Sequence, residues 1–263
     1  MEIIFLGTNG WYDTEIGNTP CILLKTGNFY IVFDAGNGLH KLDRYIAKDK
    51  PIYILLSHFH LDHIEGLHVL AKFRFKKGLF ICGPEGTKKT LDRIIRKPFT
   101  VPLKKLPYHT AVFELPEQAK NLPSEQGGVD RPPQADERLK IKALSLEHST
   151  LVLGYRLEIE DKTITYCTDT GYCENAVKLA KNADLLITEC SYRTGEQNSR
   201  WSHLNPETAA GLAKKAGAKK LALTHFDPSR YPGRQDRIAA QKKARTVFKN
   251  SFTAFDGMKI GIS

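Results

Sequence analysis

Cysteine is sparse in this chain: Cys21, Cys82, Cys167, Cys173 and Cys190 are its five, and no Cys-x-x-Cys occurs among 263 residues. An odd number without that spacing argues against both a disulfide framework and a cysteine-rich zinc site. Four of the five lie in or beside apolar strand-like runs and read as small core residues. No run of about 18 apolar residues occurs, so a membrane span is not expected. A basic segment leading into an apolar stretch and a small-residue cleavage site is also missing, which makes the cytoplasm the expected location. Short repeats and low-complexity tracts are absent. Acidic residues are in deficit, 29 against 39 Lys and Arg, giving a net charge of +10. Such a field draws anions inward, and nucleic acid, nucleotides or phosphoesters fit it as partners. A lysine-rich solubilising surface is the alternative.

The length suits one layered α/β domain spanning 1–263. Residues 2–6, 21–25, 29–34 and 52–56 read as short strands, with Thr26-Gly27-Asn28 as a hairpin turn. Residues 39–48 and 85–97 show helical spacing, the second ended by Pro98 and Pro102. From about 116 to 137 the chain turns polar and rich in Pro and Gly, an exposed loop inside the domain. Further strands are expected from 139 to 144 and over 151–159, 163–168, 184–188, 220–224 and 258–262, and helices over 173–182, 206–217 and 235–249. Asn205-Pro206-Glu207 is a strong helix start. Strands and helices mixed in both halves suggest two sheets packed face to face with helices outside, an α/β four-layer αββα sandwich.

The apolar run Pro51 to Leu56 reads as a strand buried on both faces. It stops at Ser57-His58-Phe59-His60-Leu61-Asp62-His63. Three imidazoles and a carboxylate within six residues, at the end of a buried strand, are not an accident of a polar loop. Ligands of open α/β sheets bind at that end. His58 and His60 can point the same way on extended backbone, whereas Asp62 and His63 need a turn to face a second point. One metal ion cannot use all four groups from so tight a loop. Two adjacent ions can share them, and imidazole with carboxylate suits zinc, iron or manganese.

His-x-His-x-Asp-His after such a strand resembles the signature of the metallo-β-lactamase superfamily. The resemblance covers nearly the whole chain. Phe33-Asp34-Ala35-Gly36 is similar to the upstream Asp turn, Glu147-His148-Ser149 to the third metal motif, Tyr166-Cys167-Thr168-Asp169 to the strand-end Asp motif, and Leu223-Thr224-His225-Phe226 to the last His motif. It implies two divalent cations, zinc first, with manganese or iron as alternatives. His58, His60 and His148 would hold one, Asp62, His63 and His225 the other, and Asp169 would bridge them. Asp62 is also expected to be catalytic, and Asp34 to orient a ligand histidine through the other ring N–H. Two such ions sharing a water present hydroxide at neutral pH.

Within the superfamily, Leu185 to Cys190 and Trp201-Ser202-His203-Leu204 resemble ribonuclease Z and its phosphodiesterase relatives. There His203 would act at the scissile phosphate and its leaving group, with Glu189 orienting it. Arg230 and Arg234, just after His225, are candidates for binding a substrate phosphate. One departure stands out. Ribonuclease Z carries a long arm between the third and fourth motifs, but here 169 − 148 leaves 21 positions, filled by a hairpin. The expectation is a metal-dependent hydrolase acting on a phosphodiester, either RNA or a small cyclic or nucleotide one, with no membrane partner. The resemblance also suggests a homodimer. A lactonase, thioesterase or β-lactamase-like enzyme on the same metals is the alternative, and an RNA-binding protein with a vestigial site is a weaker one.

Overall fold

The structure is a computed structural model that describes residues 1–116, 118–119, 139–198 and 200–262. The polar stretch expected as a loop at about 116–137 lies, apart from Pro116 and the two-residue strand at 118–119, outside the described residues.

Two seven-stranded sheets form the framework. The first contains β1 (Glu2–Gly7), β2 (Cys21–Lys25), β3 (Tyr30–Phe33), β4 (Ile52–Leu55), β5 (Leu79–Pro84) and β6 (Thr110–Leu115). The second contains β7 (Gln118–Ala119), β8 (Lys140–Ser145), β9 (Leu153–Ile159), β10 (Lys162–Cys167), β11 (Leu185–Glu189), β12 (Leu221–Thr224) and β13 (Ser251–Thr253). The last strand, β14 (Lys259–Gly261), crosses back to pair antiparallel with β1. Each sheet is antiparallel on one side and parallel on the other, with β3 to β6 parallel in one and β10 to β13 in the other.

The apolar residues sort into three layers of contact. Phe5, Phe33, Tyr53, Phe80, Tyr155, Tyr166 and Ile187 meet between the sheets. The opposite face of the first sheet, with Leu6, Val32, Ile54 and Ile81, packs on Leu39, Leu67, Leu70 and Leu91 of the helical segments. The opposite face of the second, with Cys167, Leu186 and Leu223, packs on Leu179, Ala209, Ala213, Ala240 and Ala244. Strands buried on both faces and helices on the two outsides make the four-layer αββα sandwich that the mixed pattern predicts. Four of the five cysteines are buried, and all are free thiols.

Local signals explain the helices. α4 (Pro206–Ala216) begins with a capping box: the Asn205 side chain accepts from the Thr208 N–H at 2.9 Å, and Thr208 Oγ1 accepts from the Asn205 N–H. It ends on Gly217, whose left-handed φ of 67° lets its N–H reach back to the last carbonyls. α3 (Glu174–Ala180) and α5 (Arg234–Val247) flank it. The helix expected over 39–48 is instead a 3₁₀ segment at Asn37–Arg44, and the one expected over 85–97 is the shorter α2 (Thr87–Ile94). No described helix is long and apolar enough to cross a membrane.

Candidate metal centre

The parallel strands of both sheets deliver their C-terminal ends to one place. β3 leads to Asp34, β4 to the 57–63 segment, β10 to Asp169, β11 to Ser191 and β12 to His225, while His148 stands on the connection from β8 to β9. Past β4 the chain stays extended to His60 and then makes one helical turn, α1 (Leu61–Ile64). That change of backbone turns Asp62 and His63 away from His58 and His60.

Two groups result, each able to hold a metal ion: His58, His60, His148 and Asp169, and Asp62, His63 and His225. In the second group His63 Nε2 and His225 Nε2 are 3.1 Å apart, and each lies 3.4 Å from Asp62 Oδ2. Asp169 Oδ1 completes that group at 3.3 Å from His63 and 2.9 Å from His225. Bonds of about 2.0–2.1 Å at tetrahedral angles place ligand atoms about 3.3 Å apart, so these four atoms are spaced for one ion. The other oxygen, Asp169 Oδ2, faces the first group, 3.6 Å from His58 Nε2 and 3.8 Å from His148 Nε2. Both of those nitrogens are buried and have no hydrogen-bond partner. A buried donor or acceptor left unpaired is costly, and a cation at this point satisfies both at once.

The outer ring nitrogens of His58, His63, His148 and His225 are engaged. Asp34, fully buried, accepts from the Ser57 N–H at 2.7 Å, the Ser57 hydroxyl at 2.8 Å and the Tyr166 hydroxyl at 2.7 Å, and meets His63 Nδ1 at 2.8 Å. Ser57 Oγ, its proton committed to Asp34, lies 2.9 Å from His58 Nδ1 as an acceptor. Ser191 gives its proton to the His225 carbonyl and stands 3.0 Å from His225 Nδ1. His148 Nδ1 faces the Ser202 carbonyl at 3.4 Å. An acceptor on Nδ1 of these four fixes the tautomer that leaves Nε2 bare toward the cluster.

Charge follows the same division. Burial, reinforced by His63, pushes His58 well below the ordinary imidazole range, and burial lowers His148 as well, so both are neutral. Burial alone would also lower His63 and His225, but the Asp62 and Asp169 carboxylates outweigh it and push His225 up to about 10. The same imidazoles hold Asp62 and Asp169 below the usual carboxylate range against the cost of burial. The second group thus attracts positive charge strongly, and a divalent ion entering it displaces protons.

Beside the clusters, Glu189 is fully buried and its Oε1 meets His203 Nδ1 at 2.7 Å. Glu189 also accepts from the Thr170 N–H at 2.7 Å and the Ser191 N–H at 3.2 Å. The His203 ring lies 5.2 Å from that of His148 and 6.2 Å from that of His225. A cleft of about 790 Å³ opens over the site, with His60, Asp62, His148, Asp169, His203, His225 and Arg230 in its lining. Arg230 brings little free charge to it: its guanidinium is paired with Asp227 and, at 2.9 Å, with Glu196. Arg234 is not part of that lining and stacks on the Phe255 ring at 4.2 Å.

Ser57, Ser191, Tyr166, Gly10 and Trp11 also belong to this neighbourhood, and the pattern of the sequence does not single them out. Ser57 alone carries a signal, as the first residue after the buried run. Gly10 touches the site from 215 positions away in the chain (225 − 10): a Cβ there would lie 2.4 Å from His225 Cε1.

An αββα sandwich with two His/Asp clusters at its strand ends defines a metal-dependent hydrolase that takes divalent ions. The chain belongs to the β-lactamase superfamily: a profile described as "Beta-lactamase superfamily domain" matches residues 30–226. A ribonuclease Z from Pyrococcus abyssi is 30% identical, with 92% of this chain and 91% of that protein covered. The probable metallo-hydrolase YhfI of Bacillus subtilis is 28% identical over 94% of each chain. Among solved structures, the short form of human tRNase Z superposes with a TM-score of 0.76 over all of both chains at 23% identity.

Proposed function

We propose that the protein is a di-metal phosphodiesterase that hydrolyses RNA or a small cyclic or nucleotide phosphodiester. His58, His60 and His148 would hold one ion, Asp62, His63 and His225 the other, with Asp169 shared between them. Divalent ions there supply Lewis acidity toward the phosphoryl oxygens and lower the pKa of water. Zinc suits the donor set best, with manganese or iron as alternatives.

The observation that carries the phosphodiester reading is the Glu189–His203 pair beside the clusters. Burial disfavours a charged His203, but the Glu189 carboxylate outweighs burial and raises its pKa. With Nδ1 held by Glu189, the Nε2 edge is left for the cleft. A protonated imidazole there offers both charge and a proton to a departing oxygen, which an alkoxide leaving group requires. Asp34 and Ser57 keep His63 and His58 in register, and Ser191 keeps His225. The net charge of +10 and relatives named ribonuclease Z support an anionic phosphodiester as substrate. The short connection between His148 and Asp169 supports a smaller substrate over a gripped tRNA.

Purified protein is expected to carry about two equivalents of transition metal and to cleave bis(p-nitrophenyl) phosphate. His203→Ala is expected to retain the metal and lose about 10²–10⁴ of the rate, the usual share of general acid catalysis. Active protein without transition metal by elemental analysis sinks the di-metal assignment, and an unchanged rate in the variant removes the leaving-group role. Parallel assays with a lactone and a thioester distinguish a carboxyl hydrolase.

A further inference from the structure

The chain has two tryptophans, Trp11 and Trp201, and both stand in the lining of the cleft over the metal clusters. Tryptophan is normally among the more buried residues. Here Trp11 is 68% exposed and Trp201 53% exposed. Leu61, on the same lining, is 70% exposed. Three large apolar side chains thus face solvent at the mouth of a polar site.

The main chains of the two tryptophans are anchored. Trp11 comes from the loop after β1 in the first sheet, and its main-chain N–H donates to Asp62 Oδ2 at 2.9 Å. Its backbone is left-handed, with φ 65°, a conformation that a bulky residue rarely adopts. Tyr12 braces its ring edge-on at 5.2 Å. Trp201 comes from the segment after β11 in the second sheet, where its carbonyl accepts from the Tyr192 hydroxyl at 2.6 Å. The main chain of one tryptophan is therefore tied to a carboxylate of the second cluster, and the other tryptophan stands two residues before His203. Both share the lining of one cleft with His60, Asp169 and His203.

We propose that Trp11 and Trp201 form a clamp that stacks a nucleobase of the substrate, so that the enzyme selects phosphodiesters bearing a base next to the scissile phosphate. This rests on the phosphodiesterase reading and narrows its substrate class. A π-face is common to all bases, so the clamp recognises a nucleotide without choosing its sequence. Leu61 adds apolar surface to the same lining. The occupant is a base, either of a free nucleotide or of a single-stranded RNA end.

With no other tryptophan in the chain, intrinsic fluorescence reports on the clamp alone. The metal-loaded protein is titrated with AMP and with ribose 5-phosphate, and in parallel with a short oligoribonucleotide and an abasic oligomer of equal length. Quenching by a base-bearing ligand and not by its baseless counterpart is the expected result. Quenching by AMP identifies a nucleotide source, and quenching by the oligomer alone identifies RNA. By calorimetry, Trp11→Ala and Trp201→Ala are each expected to weaken binding of the quenching ligand about tenfold, with Trp→Phe recovering most of it. No quenching by either base-bearing ligand, or equal quenching by the baseless ones, overturns the clamp. Hydrolysis of bis(p-nitrophenyl) phosphate tests the phosphodiesterase reading separately, because the fluorescence result does not depend on turnover.

Discussion

Trp11, Asp34, Asp169 and His225 all have left-handed backbones, with φ of 65°, 54°, 45° and 51°. Such conformations cost roughly 1–3 kcal/mol each in a residue with a Cβ, and they persist where the surroundings over-determine them. Here the surroundings are the polar bonds of the site, which aim each side chain across the end of its strand. The tolerance for added atoms is small. In Gly10→Ala the new methyl would press on an imidazole already held by Ser191, Asp62 and Asp169. We expect this variant to fold, to keep the metal of the His58 group and to lose most affinity for the other. Chelator-competition titration checks this, and two equal equivalents at wild-type affinity contradict it. Glu189→Gln addresses His203. Its raised pKa depends on the Glu189 charge, so removing that charge lowers the pH at which the ring deprotonates. If the protonated ring is the active form, the alkaline limb of the kcat profile moves to lower pH. A limb that stays in place excludes His203 as its origin.

At the scale of elements, the strand ends were the most readable part of the chain. The buried run before Ser57, the Asp34 turn and the Asn205-Pro206 helix start all predict what the structure contains, because each is a local signal of period, turn or cap. β5, β6, β7 and β13 have no such signal. β5 is buried throughout and is fixed by parallel neighbours β4 and β6 that are distant in sequence. The 37–44 segment shows helical spacing, yet it winds as 3₁₀ where Gly38 packs directly on the Leu6–Gly7 backbone. Ser191 and Gly10 act only through contacts across the fold, so no spacing announces them. The cap of α4 permits a measurement at this scale. Asn205→Ala removes the acceptor of the Thr208 N–H and the Asn205 amide bond to the Glu196 carbonyl. The expected loss is about 1 kcal/mol by chemical denaturation. Because the cap lies two residues after His203, the rate should fall as well. A variant with unchanged midpoint and slope would show that the cap contributes nothing.

For the whole molecule, the decisive fact is that neither sheet completes a cluster by itself. His58 and His60 come from the first sheet's connections, but His148 and Asp169 come from the second's; Asp62 and His63 likewise meet His225 from across the sandwich. Ions bound there would therefore staple the two sheets. Four carboxylates, those of Asp34, Asp62, Asp169 and Glu189, are drawn into a largely buried region and balanced there. A ligand that binds only the folded state stabilises it by mass action, by about 4 kcal/mol at a thousandfold excess over Kd. Removing metal with a chelator is expected to lower Tm by several degrees, and restoring zinc or manganese to recover it. An identical melting curve with and without chelator excludes the staple.

The contact between Gly10 and His225 also orders events in time. Synthesis delivers Gly10 of the Gly10–Trp11 loop 215 positions (225 − 10) before His225. Until then the loop lacks the Phe226 carbonyl that receives the Gly10 N–H, and the Thr8 carbonyl has no Phe226 N–H to accept. The second cluster thus waits for a residue far downstream of its other members. A nascent chain that has not yet reached His225 cannot complete the second cluster.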